Sequence, residues 1–191
     1  MWRKLQGLSL ISWTCQQTMQ NYFDLFHLPR QYAIDRTALD AAYRDVQGQV
    51  HPDRFVNAPD AERRTALQWA AHANDAYLTL RNPLKRAAYL CELHGFGLHA
   101  DSNTSMPMEF LMQQIEWREK LDEARETKNA DALETLASEL RVIRKEQMER
   151  IAKLLDASDF AQTVQEVRKL MFVEKFDEDI SFAFDTLDST D

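Results

Sequence analysis

Glycine and proline are scarce in this chain, at 4 and 5 among 191 residues. Both punctuate the backbone, so their scarcity argues for long helices with few tight turns. The helix formers Ala, Leu, Glu, Gln and Arg are correspondingly abundant, and the composition favours an all-α protein. Cysteine is rarer still. Cys15 and Cys91 lie far apart, which excludes a disulfide framework and suits a reduced compartment. No apolar run approaches the roughly 20 residues that span a bilayer. A Gly-rich phosphate loop and a nucleophile motif are also missing. Metal ligands are sparse: Cys91 and His94 stand at helical spacing with His99 near, and so few scattered groups do not make a zinc site. A buried Cys and a helix-end His is the plainer reading, and no catalytic, metal or cofactor site is expected.

Acidic residues are absent from one stretch. Residues 1–18 hold Arg3 and Lys4 but no Asp or Glu. Their apolar part is too interrupted for a secretory signal; the basic, acid-free run also resembles a mitochondrial presequence, though it is short and has few Arg. Patterned sequence begins straight after Met19. The preferred reading of residues 1–18 is an upstream extension with Met19 as the start, the alternative a targeting segment; either lies outside the fold. Over the whole chain the net charge is −8. Residues 1–100 carry 11 Lys/Arg against 9 Asp/Glu, and residues 101–191 carry 12 against 22. An acidic second half argues against nucleic acid as a partner. It suits a basic protein.

What is present is helical periodicity. Residues 22–29 form a short apolar helical turn stopped by Pro29. Asp35 and Thr37 can cap the next helix. Its stripe, Leu39, Tyr43, Val46 and Val50, is spaced by four, three and four. Gly48 near its end costs roughly 1 kcal/mol against Ala. The helix must stop at His51-Pro52-Asp53, because Pro52 disfavours helical geometry at His51 and has no N–H of its own. Another helix opens at Asp60 and runs to about Leu80, striped by Ala66, Ala70, Ala73, Tyr77 and Leu80. Small residues allow close approach, so these two should form an antiparallel hairpin. Asn82-Pro83 starts a further helix over 84–93, closed by Gly95.

Residues 96–106 form a polar connection. Helices over 107–127, 130–155 and 159–184 follow, with breaks at Lys128-Asn129 and at residues 156–158, and read as a three-helix bundle. Leu133, Leu136, Leu140, Ile143 and Ile151 stripe the middle helix; Phe160, Val164, Val167 and Met171 stripe the last. The first carries two stripes. Phe110, Gln114, Trp117, Leu121 and Ala124 fall within about 80° of one another. Leu111, Met112 and Ile115 fall well away from them, beside Glu116, Glu119 and Glu123. The second stripe is either a docking patch with a carboxylate rim or a broad core stripe touching both other helices.

The short apolar helix, the hairpin joined by His51-Pro52-Asp53 and the run of residues 82–89, with Pro83, Arg86 and Tyr89, resemble the J-domain of DnaJ-type co-chaperones. Residues 110–123 and 167–172 look like the C-terminal domain of the HscB-type co-chaperones of iron–sulfur cluster assembly. Residues 19–26 resemble the usual start of that family. The resemblance covers about residues 19–184. It implies a layout of extension (1–18), J-domain (19–95), linker (96–106) and scaffold-binding bundle (107–191).

The resemblance further implies an adaptor with no enzymatic activity and no cofactor. The J-domain would dock on HscA, a DnaK-type ATPase chaperone, and stimulate its ATP hydrolysis. The bundle would hold the iron–sulfur scaffold IscU, committing it to the chaperone and promoting cluster transfer. Chaperone contact would fall to His51, Pro52 and Asp53, flanked by Arg44 and Arg54. Scaffold contact would fall to Leu111, Met112, Ile115, Glu116, Glu119, Glu123 and Phe172. One departure stands out: the helix before the loop, usually basic in J-domains, has only Arg36 and Arg44 against Asp40 and Asp45. Electrostatic steering should therefore be weak. A monomer with at most weak self-association is implied, in the bacterial cytoplasm or alternatively the mitochondrial matrix. Two rivals stay open: a J-protein for another client, and a helical metal-dependent hydrolase using His51, Asp53, His72 and His94.

Overall fold

The structure, a computed structural model, describes residues 21–98 and 106–188, with side chains omitted for Pro52 and Asp188. The expected extension over 1–18, and with it Cys15, lies outside the described residues, as do His99 and most of the expected linker. The described residues contain helices and no strand. These are α1 (Tyr22–Leu25), α2 (Arg36–Val50), a 3-10 turn (Pro52–Phe55), α3 (Asp60–Arg81), α4 (Pro83–Leu93), α5 (Met108–Glu126), α6 (Ala130–Asp156) and α7 (Phe160–Asp188). Two compact units divide between Arg86 and Ala87, within α4. No described helix is long and apolar enough to cross a membrane.

In the first unit α2 and α3 form the expected antiparallel hairpin. The Asp35 carboxylate caps α2 by accepting from the amides of Thr37 and Ala38 (2.8 and 3.3 Å). The hairpin register is fixed by aromatic and polar pairs. Tyr43 stacks on Tyr77 with centroids 4.1 Å apart. The Tyr77 hydroxyl donates to Asp40 (2.9 Å), and that of Tyr43 to Asn74 (3.2 Å). Leu39, Val46 and Val50 are buried as the spacing predicts. On α3 the buried face is Ala66, Trp69, Ala73, Ala76 and Leu80, whereas Ala70 and Tyr77 sit at its margin. The expected stripe was thus turned by part of a helical step, because the indole of Trp69 takes the deeper place. Asn82 bridges α3 and α4, its side chain accepting from the Lys85 amide (3.0 Å) with Pro83 at the first helical position.

α1 ends before Pro29. His27 adopts φ +54, the Leu28 amide reaches the Phe23 carbonyl (2.9 Å) and the His27 amide the Asp24 carbonyl (3.1 Å). That pair is a Schellman closure without glycine. The same closure ends α5 at Lys128 (φ +51) and α6 at Ser158 (φ +58), while α4 closes through Gly95 (φ +85) as expected.

In the second unit α5, α6 and α7 form the expected bundle. Its core includes Trp117, Leu121, Leu133, Leu140, Ile151, Val167, Leu170, Phe176 and Ile180. One expectation is corrected: Met171 is 47 % exposed, and Leu170 is buried in its place. The inward residues of α7 run Val164, Val167, Leu170, Val173 and Phe176. Repeated steps of three rotate the stripe backwards around the helix. A buried polar group interrupts this core. Gln147 donates to the Glu166 carboxylate (2.7 Å), which also pairs with Lys169 (2.7 Å), so its charge is satisfied.

Candidate functional site

The loop between α2 and α3 is built by its own residues. His51 leaves helical geometry (φ −58, ψ 129) ahead of Pro52. Its Nδ1 accepts from the Asp53 amide (3.3 Å), capping the 3-10 turn. The Asp53 side chain is 85 % exposed, at 3.5 Å from His51 Nδ1. Its carboxylate therefore presents free lone pairs to solvent, the arrangement that a partner arginine fits. Arg54, which the sequence marks only as a flanking cation, donates to the Gly48 carbonyl (2.7 Å). It thus ties the loop back to an orphan carbonyl at the end of α2. Arg44 is exposed two turns up α2, with no ion-pair partner among the described residues.

Val56 and Leu67 were missed from the sequence. They are 63 % and 54 % exposed, and with Asp53 and Arg63 they line a cleft of about 350 Å³. Leu67 lies off the buried face of α3, which is the signal that could have flagged it.

On α5 the second stripe is open. Leu111, Met112 and Ile115 are 38 %, 52 % and 49 % exposed, while Trp117, Leu121 and Ala124 are buried. The alternative of a broad core stripe therefore falls away. Glu116, Glu119 and Glu123 are exposed beside it. Phe172 is half-buried. Its ring meets Phe110 edge-on (5.8 Å) and stacks on Phe176 (6.3 Å). Phe110 in turn meets Trp117 (6.2 Å), so an aromatic cluster carries Phe172 from the core to the start of α5. The loop residues lie in the first unit and the stripe in the second.

The histidines of the hydrolase rival are otherwise engaged. His72 packs edge-on against Tyr22 and Trp69 (5.6 and 5.5 Å). The His94 ring contacts the Leu90 carbonyl (2.8 Å) and stacks on Phe160 (4.0 Å). Cys91 is fully buried, and burial pushes its thiol up to about 11. Among the described residues no three His, Cys, Asp or Glu side chains are grouped to hold a metal ion.

A family model described as the HSCB C-terminal oligomerisation domain matches residues 106–181. A Cupriavidus taiwanensis protein named Co-chaperone protein HscB homolog is 53% identical over 173 residues, covering 91% of this chain and 98% of that protein. The chain belongs to the HscB co-chaperone family. Solved HscB structures agree. Chaperone HscB from Vibrio cholerae is 34% identical with a TM-score of 0.77, covering 88% of this chain and 99% of that one. Human co-chaperone protein HscB is 28% identical with a TM-score of 0.80, covering 86% and 82%. HscB proteins are co-chaperones and not enzymes, so the exposed loop and the open stripe belong to a protein that works through partners.

Proposed function

We propose that this co-chaperone is a two-site adaptor for iron–sulfur cluster assembly in the bacterial cytoplasm. His51, Pro52 and Asp53 contact a DnaK-type ATPase chaperone of the HscA kind and stimulate its ATP hydrolysis, with Arg44 and Arg54 at the edge of the contact. Leu111, Met112 and Ile115, rimmed by Glu116, Glu119 and Glu123 and continued by Phe172, hold the IscU-type scaffold. The scaffold face should be apolar at its centre and basic at its rim. The observation that carries this reading is the open apolar stripe on α5 of a chain that also exposes an Asp53 carboxylate on a capped loop.

Two substitutions separate the sites. His51→Gln is expected to abolish chaperone stimulation and leave scaffold affinity unchanged. Leu111→Ala with Ile115→Ala is expected to weaken scaffold binding by tenfold or more, the scale of losing two interface anchors. It should not shift the melting temperature, because both side chains are exposed. Phe172→Ala is a poorer test, since it also opens the aromatic cluster. Surviving stimulation in the first variant, or unchanged scaffold binding in the second, would sink the corresponding assignment. A second reading draws on the family model's description as an oligomerisation domain: the stripe pairs two copies of this chain. Sedimentation decides it, because pairing predicts a dimer that Leu111→Ala with Ile115→Ala dissociates.

A further inference from the structure

Five methionines lie among the described residues, and of the three most exposed two stand in the first turns of α5 and one on α7. Met108 is 71 % exposed, Met112 52 % and Met171 47 %, whereas Met106 and Met148 are half-buried. Met108 and Met112 are one helical turn apart and flank Leu111. Met171 precedes Phe172, whose ring packs on Phe110. Thioethers are the softest and most readily oxidised groups on such a surface. The competing thiol among the described residues, Cys91, is fully buried and raised to about 11, so little of it is thiolate.

We propose that Met108 and Met112 on α5, and Met171 on α7, are sulfoxidation sites, and that oxidation at the α5 stripe releases the partner bound there. The release rests on the stripe being the scaffold-docking surface; the modification sites do not. The oxidant is hydrogen peroxide or a comparable two-electron oxidant. A lone pair on the thioether sulfur attacks one peroxide oxygen, an S–O bond forms as the O–O bond breaks, and the second oxygen leaves as water. Sulfur loses two electrons and peroxide gains them. The product replaces a flexible apolar side chain by a polar one with a strong acceptor oxygen. Nothing at hand on the stripe satisfies that acceptor: Glu116, Glu119 and Glu123 are themselves acceptors when ionised. Carried into an apolar interface, the oxygen is desolvated without a partner, which weakens binding by roughly tenfold or more.

The test uses the full chain with Cys15→Ser, treated with hydrogen peroxide and mapped by mass spectrometry. Sulfoxide should accumulate at Met108, Met112 and Met171 several-fold faster than at Met148. Uniform rates, or Met148 leading, would overturn the sites. Treated, untreated and reductase-restored protein is then titrated with the IscU-type scaffold. Affinity should fall by roughly tenfold on treatment and return after the methionine sulfoxide reductases act. In a Met108→Leu/Met112→Leu/Met171→Leu variant, whatever its own affinity, treatment should make no difference; a drop there would assign the effect elsewhere and overturn the proposal. Unchanged affinity of sulfoxidised protein, beside normal binding by the untreated form, overturns the release alone. Failure of untreated protein to bind overturns the docking reading and the release with it, while the map still decides the sites.

Discussion

Arg86 shows how a motif residue can serve the fold. It is buried, its Nε donates to the Tyr32 carbonyl (2.8 Å) and its Nη1 to the Leu80 carbonyl, and its guanidinium lies 5.0 Å from the centroid of the Tyr32 ring. Burial lowers its pKa, yet arginine stays charged. The fork closes the C-terminal end of α3 and fastens the segment before α2. Arg86→Ala would leave buried carbonyls unpaired and should cost about 2–4 kcal/mol in denaturant unfolding. Arg86→Lys should recover only part, lacking the fork. At Tyr77 the effect is on pH. The hydrogen bond to Asp40 raises its phenol above the usual 10. A raised pKa means that the contribution is complete below pH 10 and is lost as pH rises through the folded value. Asp40→Asn should move the phenolate absorbance titration of Tyr77 down toward 10; an unmoved titration would remove Asp40 as the cause.

Helices were legible where punctuation is chemical. Asp35, Asn82-Pro83 and Gly95 announced ends that the structure keeps. The breaks at Lys128-Asn129 and at residues 156–158 were read too, but not the left-handed closures at His27, Lys128 and Ser158, because these depend on backbone bonds that any residue can make. An L residue there carries a strain of about 1 kcal/mol that glycine avoids. Lys128→Gly and Ser158→Gly, both at exposed positions, should therefore each stabilise the second unit by about 0.5–1 kcal/mol. Gly48 is the reverse case. It lies within α2, with open space within 4 Å of where a Cβ would stand. Gly48→Ala should stabilise by about 0.5–1 kcal/mol. A stability loss in denaturant titrations of either kind of variant would refute the corresponding account. The buried faces of α3 and α7 were read only in part. Trp69 and the run of threes on α7 answer to what packs against them, which spacing along one helix does not contain.

Across the molecule, charge is the main asymmetry, and it was plain in the sequence; so were the loop and the stripe as candidates. What periodicity left open was whether Leu111, Met112 and Ile115 are covered, since that depends on how far α6 and α7 wrap α5. The engagement of Arg54 with Gly48 was equally invisible, being a contact made only once the loop turns back. Arg36 and Arg44 on α2 are offset by Asp40 and Asp45, so raising salt from about 0.05 to 0.15 M should change the apparent affinity for the chaperone by less than about threefold. A steeper loss would point to steering by charges elsewhere. The bare stripe on α5 has the opposite sensitivity. An apolar strip fenced by carboxylates behaves as a charge-stabilised colloid, kept dispersed by repulsion between like-charged neighbours. At about 1 M salt the Debye length shrinks to about 3 Å, the fence no longer reaches an approaching copy, and light scattering should report clustering that Met112→Lys suppresses.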